Sequence, residues 1–146
     1  MTAETTPYPD PGGYVAWLGL NFVEGSADRM VATWEVRPDH LQPYGIVHGG
    51  VHCSVIETVA SYGAAAWYGE RGKVVGVSNH TDFLRAVTTG TLTATGTPVH
   101  RGRLQQLWLV EIQDANERLV ARGQVRLQNL AEDHLDRPAG QARDAG

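Results

Sequence analysis

The sequence predicts an α+β layer architecture, with one central buried helix wrapped by a curved antiparallel sheet of five or six strands. Three observations carry it. From His48 to about Tyr68, apolar and small residues lie almost all the way round a helical period, so this helix needs burial on nearly every side. On either side of it the apolar period falls to two, the period of half-buried strands. The connections between the later strands are short, which favours antiparallel neighbours. A sheet curled round the helix supplies most of the burial, and a partner subunit supplies the rest.

Taken in order, residues 1–13 carry Pro7, Pro9, Pro11, Gly12 and Gly13 and read as a flexible lead-in. Residues 14–24 are a mixed apolar segment, either a short helix or a first strand. From Met30, alternation sets Met30, Ala32, Trp34 and Val36 against Thr33, Glu35 and Arg37. A loop marked by Pro43 and Gly45 leads to the helix, which Gly69-Glu70-Arg71-Gly72 ends. One strand, with a bulge allowed, runs from Val74 to about Val87. In the next, Leu92, Ala94 and Gly96 alternate with threonines. Trp108, Val110 and Ile112 mark a third, and Leu119, Ala121, Val125 and Leu127 face away from Arg122, Gln124 and Arg126 in a fourth. Thr89-Gly90, Arg101-Gly102-Arg103 and Asp114 to Glu117 are the turns between these four consecutive strands. The domain spans 14–130, and the polar stretch 131–146 reads as a disordered tail.

A chain of 146 residues suits one domain. Its net charge of −4 gives no support to a nucleic-acid role. Cys53 is the single cysteine, so no intrachain disulfide can form, and a reducing compartment is expected. No signal-peptide pattern or membrane-length apolar run is visible, so a cytoplasmic location without membrane association is expected.

The chemistry concentrates at the helix. The N–H groups of Gly49 and Gly50 stand where it begins and have no intrahelical partners. With the positive end of the helix dipole they can polarise an oxygen that becomes an anion. Glu57 is a mid-helix charge among Val55, Ile56, Val59 and Ala60, where an unpaired carboxylate is costly. It is a residue on a face that reaches solvent, half of a buried pair, or a catalytic acid.

The segment from Tyr44 to Ser61 resembles the signature of hotdog-fold thioesterases, in particular the PaaI-like group and the Arthrobacter-type 4-hydroxybenzoyl-CoA thioesterase. The match is His48-Gly49-Gly50 followed by an acid nine positions after the histidine. With the strand layout, the resemblance covers about residues 14–129. It implies a hotdog fold and hydrolysis of an acyl-CoA to a free acid and CoA, with no cofactor beyond the CoA of the substrate. Gly49 would polarise the thioester carbonyl, and Glu57 would be nucleophile or general base. The PaaI-like group more often carries Asp at this point, so Glu57 lies closer to the Arthrobacter-type enzyme. Ser61, one turn beyond Glu57, is either a small helix residue or the hydroxyl that orients water. Gln42 is either a solvated loop residue or a contact to the thioester carbonyl. Tyr44 and His48 are candidates for substrate contact, His48 alternatively for a structural hydrogen bond. Asn79 and His80 are candidates for lining the acyl or pantetheine channel. Arg101, Gly102 and Arg103 form either a solvated turn or a contact for the CoA nucleotide.

Spacing adds a constraint. Gly49 and Glu57 are eight residues apart, about 12 Å along a helix, so one carbonyl cannot easily serve both within a chain. A two-fold dimer would pair Gly49 of one subunit with Glu57 of another twice. The family forms such dimers, often paired into tetramers. His48 and His52 have metal-like i,i+4 spacing, but His48 falls at the cap and no third ligand is evident, so no metal is expected. Cys53 is expected to be core packing. The rivals are a non-catalytic acyl-CoA-binding module, a thioesterase for acyl-carrier protein and, less favoured, a hydratase, whose sites pair Asp and His differently. Trp17, Trp67, Tyr62 and Tyr68 either line an aryl pocket or fill the core.

Overall fold

A computed structural model describes residues 12–132. The expected lead-in and tail lie outside the described residues except at their inner ends. There Gly13 opens a helix and Ala131 ends a strand. The order is α1 (Gly13–Leu18), β1 (Asn21–Gly25), β2 (Met30–Glu35), a 3-10 turn (Pro38–His40), α2 (Gly49–Tyr68), a second 3-10 turn (Gly69–Arg71), β3 (Gly72–Phe83), β4 (Thr91–Arg101), β5 (Gln105–Gln113) and β6 (Leu119–Ala131). The segment read as either helix or strand holds both, because Gly19 at φ 74° ends α1 in the left-handed region and frees the chain to extend.

Six strands form one antiparallel sheet in the order β1-β2-β4-β5-β6-β3, and α2 packs against β2 through β6. The predicted inward residues are inward. Met30, Ala32 and Trp34 of β2, Leu92 and Ala94 of β4, Trp108, Val110 and Ile112 of β5, and Val125 and Leu127 of β6 enclose Val55, Ile56, Val59, Ala60 and Ala64 of α2. Each large side chain so buried contributes roughly 1.5–3 kcal/mol. A Cβ on Gly63 would lie 2.5 Å from the Trp108 ring, so the missing side chain lets the indole pack onto the helix. The Trp108 indole N–H donates to Gln106 (2.9 Å), and the Gln106 amide donates to Asn129 (2.8 Å) and to the Ala64 carbonyl (3.2 Å). These buried polar groups are thereby satisfied.

The sheet covers helix α2 on most sides, and in the single chain one side stays open. Gly50, Glu57 and Ala65 are exposed, and Cys53, Ser54, Thr58, Ser61 and Tyr62 are partly so, which leaves an open stripe. Small residues on this stripe kept the sequence from reading as amphipathic. One expectation needs correction: Thr89-Gly90 is not a hairpin turn. Strand β3 ends at Phe83 and pairs with β6, not with β4. The segment after it leaves the sheet, with Leu84 N–H and Arg85 N–H on the Val120 carbonyl and Val47 N–H on the Val87 carbonyl. Gly90 then delivers the chain to β4 beside β2. Of the four strands after α2, only β4, β5 and β6 are successive hairpin partners, through the two turns at 101–103 and 114–117. A short turn favours a hairpin, but here packing on α2 decides the partner.

Candidate active site

Helix α2 starts where the sequence places it. The His48 Nδ1 accepts from the Gly50 N–H (2.7 Å), which caps the helix and puts the neutral ring's proton on Nε2. This contact separates the two glycines. Gly50 is occupied, whereas the Gly49 N–H has no acceptor among the described residues. Gly49 lines a cleft of about 660 Å³ together with Gln42, Tyr44, His48, His52, Phe83 and Arg85. A Cβ on Gly49 would fall 2.8 Å from the Phe83 ring.

The loop carrying Gln42 is a tight fold-back. Gln42 N–H donates to the Ile46 carbonyl, Gly45 N–H donates to the Gln42 carbonyl, and Leu41 bridges to Val47. The Gln42 Oε1 accepts from the Tyr44 N–H, which leaves its amide N–H groups without a protein acceptor among the described residues. An NH2 donor is the end of the amide that a carbonyl substrate would need. Tyr44 is 90% exposed at the tip of this loop. Gln42, Tyr44, His48 and Gly49 therefore share one cleft.

Glu57 and Ser61 share another. They line a cavity of about 320 Å³ with Tyr14, Val15, Ser54, Thr58 and Tyr62. The two cavities have no lining residue in common. The Glu57 side chain is exposed in the single chain, so the cost of an unpaired buried carboxylate does not arise there. It still has a partner: Asn79 Nδ2 lies 3.4 Å from its Oε2. Tyr14 and Ser54 hydroxyls are 2.7 Å apart across the same cavity. Among the described residues no lysine or arginine lines it.

The remaining candidates are scattered. His80 lies on the outer sheet face near Asp82 (3.8 Å), away from both cavities. Arg101 is committed to the Ala27 carbonyl (2.7 Å) and Asp28 (2.9 Å), with its guanidinium over the Trp67 ring. The Gly102 and Arg103 carbonyls accept from Asn129, and the Arg103 side chain has no partner among the described residues. Of the aromatics named for an acyl pocket, only Tyr62 lines the Glu57 cavity. Tyr68 is buried, Trp67 stacks with Arg71, and Trp17 packs edge-on against His40.

Sequence reading missed two residues of these cavities and weighed a third, His52, only for its spacing from His48. Arg85 lines the Gly49 cleft and has no acidic partner among the described residues, but its segment had been merged into a strand. Tyr14 reaches its cavity across 40 positions of sequence, with no local signal. His52 is 3% exposed in the wall of the Gly49 cleft, and burial holds its imidazole down at about 4.

The comparisons with known proteins agree with this fold. The thioesterase superfamily profile matches residues 44–121. The crystal structure of AziG from S. sahachiroi superposes with a TM-score of 0.81 at 61% identity, covering 82% of this chain and 98% of that one. The structure of a Mycobacterium tuberculosis protein named as an esterase superposes with a TM-score of 0.78 at 53% identity, covering 84% and 97%. A 1,4-dihydroxy-2-naphthoyl-CoA hydrolase of Escherichia coli is 31% identical over 82% of this chain and 88% of its own.

Proposed function

The chain belongs to the thioesterase superfamily, and from that premise we propose that it hydrolyses an acyl-CoA to a free acid and CoA. The observation that carries the reading is the Gly49 N–H, without an acceptor among the described residues, at the start of a 20-residue helix on a residue that lines a cleft. A thioester oxygen accepted there gains negative charge as the carbonyl is attacked. A preorganised N–H in a partly dry site stabilises that charge. The Gln42 amide supplies a second donor.

Glu57 supplies the other half of the chemistry. As a nucleophile its carboxylate attacks the carbonyl carbon, the C–S bond breaks, and the CoA thiolate leaves and takes a proton. Water then hydrolyses the acyl-glutamyl anhydride. As a general base it takes the proton of a water that attacks directly, with Ser61 to orient that water. The glutamate favours the Arthrobacter-type arrangement over the aspartate of the PaaI-like group.

Both halves meet only if two chains share a site. Two observations support a two-fold dimer. Strand β3 is a sheet edge carrying exposed Val75 and Val77, and the open stripe of α2 bearing Glu57 lies beside it. Pairing of dimers into a tetramer is the family's further step. Arg85, together with Arg103 of the basic turn, offers cations for the CoA phosphates. No metal or redox group takes part, and a cytoplasmic location suits a CoA ester. The relative from Escherichia coli acts, by its name, on an acyl-CoA, which favours CoA over a carrier protein.

The test is turnover of an acyl-CoA panel by wild type and by Glu57→Gln. The variant keeps size and helix propensity and removes the charge. We expect kcat to fall at least ~100-fold with acyl-CoA binding retained. Binding without turnover by the wild type would make the protein an acyl-CoA-binding module instead. A Glu57→Gln variant at the wild-type rate would end the catalytic reading of this residue.

A further inference from the structure

Strand β3 contains an irregularity that decides what faces Glu57. Gly76 pairs with Leu127 and Ser78 with Arg126, so Val77 is an extra residue with no partner on β6. Inward positions on β6 alternate through Leu127, Val125 and Gly123. Without the bulge, Ser78 and His80 would stand opposite Val125 and Gly123 and point at α2. With it, Asn79 and Thr81 take those places, and His80 turns out. A bulge re-aims side chains in this way at the cost of one unpaired residue.

Asn79 then makes three contacts that fix its amide. The Cys53 carbonyl can only accept, so the NH2 end must face it, at 3.0 Å. The second hydrogen of that NH2 is directed to Glu57 Oε2 at 3.4 Å. At the other end, the Thr81 hydroxyl donates to Asn79 Oδ1 at 2.7 Å. The neighbouring glycines make room. A Cβ on Gly123 would lie 2.5 Å from Thr81 Oγ1, and one on Gly76 would lie 3.0 Å from Glu57 Oε1.

We propose that Asn79, aimed at α2 by the bulge at Val77 and held by Thr81, is a positioning residue that sets the Glu57 carboxylate for attack on the acyl group. Its sequence reading as a channel-lining residue gives way to one in which it acts through Glu57. The inference rests on the catalytic reading of Glu57. A carboxylate on a flexible side chain loses rate if it samples several rotamers, and a donor anchored on a strand removes that freedom. The seat adds no positive charge.

The experiment compares kcat and KM for Asn79→Leu and Thr81→Val, each made in the wild type and in Glu57→Asp. Asn79→Leu keeps the volume and removes the donor. We expect kcat to fall about tenfold with KM changed less than about twofold, as for a lost hydrogen bond to a charged group. Thr81→Val keeps the shape and loosens the seat, so kcat should fall by about threefold. In Glu57→Asp the shorter carboxylate is drawn away from Asn79, and either substitution should then cost less than about twofold. An equal tenfold cost in both backgrounds would make the effect structural and overturn the proposal. So would wild-type kcat in Asn79→Leu. Should Asn79→Leu fail to fold, Thr81→Val decides, and an unchanged kcat there overturns it. The two readings fail separately: an active Glu57→Gln sinks both, whereas an inactive Glu57→Gln beside a fully active Asn79→Leu sinks only this one.

Discussion

At the scale of single residues, the two histidines of the motif have opposite fates. His48 spends its Nδ1 on the Gly50 N–H and so selects Gly49 as the free donor. His52, one turn on, is buried beside Trp34 and Phe83, and its Nδ1 has no partner among the described residues. Its imidazole is held at about 4 by burial, against the usual 6.5. The sign of the consequence follows from linkage. Above about pH 6.5 both folded and unfolded chains keep this ring neutral, and the stability is whole. As the pH falls from 6.5 towards 4, the unfolded chain takes up a proton that the folded chain refuses, and stability is lost. The loss amounts to about 3 kcal/mol by pH 4. Urea denaturation at pH 7.5 and pH 4.5 should show a steeper drop in wild type than in His52→Leu. Equal drops would mean that His52 is free to charge in the fold. Arg85 carries a second prediction. It is a cation in the Gly49 cleft with no acidic partner among the described residues, and its replacement by Ala should raise KM for acyl-CoA several-fold and leave kcat nearly intact. A lower kcat at constant KM would remove it from phosphate binding.

At the scale of elements, the start of α2 allows an unusual test of one N–H. Gly49 is the first helical residue, a position where proline is well tolerated. His48 before it sits at φ −63° and ψ 133°, the extended conformation that a following proline requires. Gly49→Pro therefore removes the donor and spares the helix. The ring would displace the Phe83 side chain, which is exposed. Loss of one oxyanion donor is worth about 10²–10³ in kcat, so a fall of that order is expected, with circular dichroism unchanged. Near-normal turnover would show that the oxygen is held elsewhere. Element α1 matters too. Leu18 is fully buried, and the Arg37 guanidinium donates to the Trp17 carbonyl, which anchors the end of α1 nearest β1 and holds Tyr14 over the Glu57 cavity.

For the whole molecule, the decisive fact is that the free Gly49 N–H and the Glu57 carboxylate line separate cavities in one chain. A shared site predicts complementation. Gly49→Pro and Glu57→Gln should each be inactive as homodimers. Mixed and refolded together, half of the dimers are hybrids, and each hybrid holds one site with both defects and one with neither. Recovered activity should approach about a quarter of wild type. Light scattering at low micromolar concentration should accompany it and show no fully active monomer. Two inactive variants that stay inactive in the mixture, with hybrids demonstrated, would place the whole site in one chain.

Much of this was legible in the residues. The period change at Met30, at His48 and again at Val74 marks strands and helix, because each periodicity is a local consequence of how side chains alternate on a backbone. The His48-Gly49-Gly50 start and Glu57 stand out for the same reason: both features are contiguous in sequence. What the tertiary structure decided is non-local. That β3 pairs with β6 rather than with the strand that follows it depends on how the sheet closes over α2. That Glu57 lies on an open stripe depends on which helix face the sheet leaves uncovered. That Asn79 rather than His80 faces the carboxylate depends on one extra residue in a strand, and its effect appears only when the partner strand fixes the register.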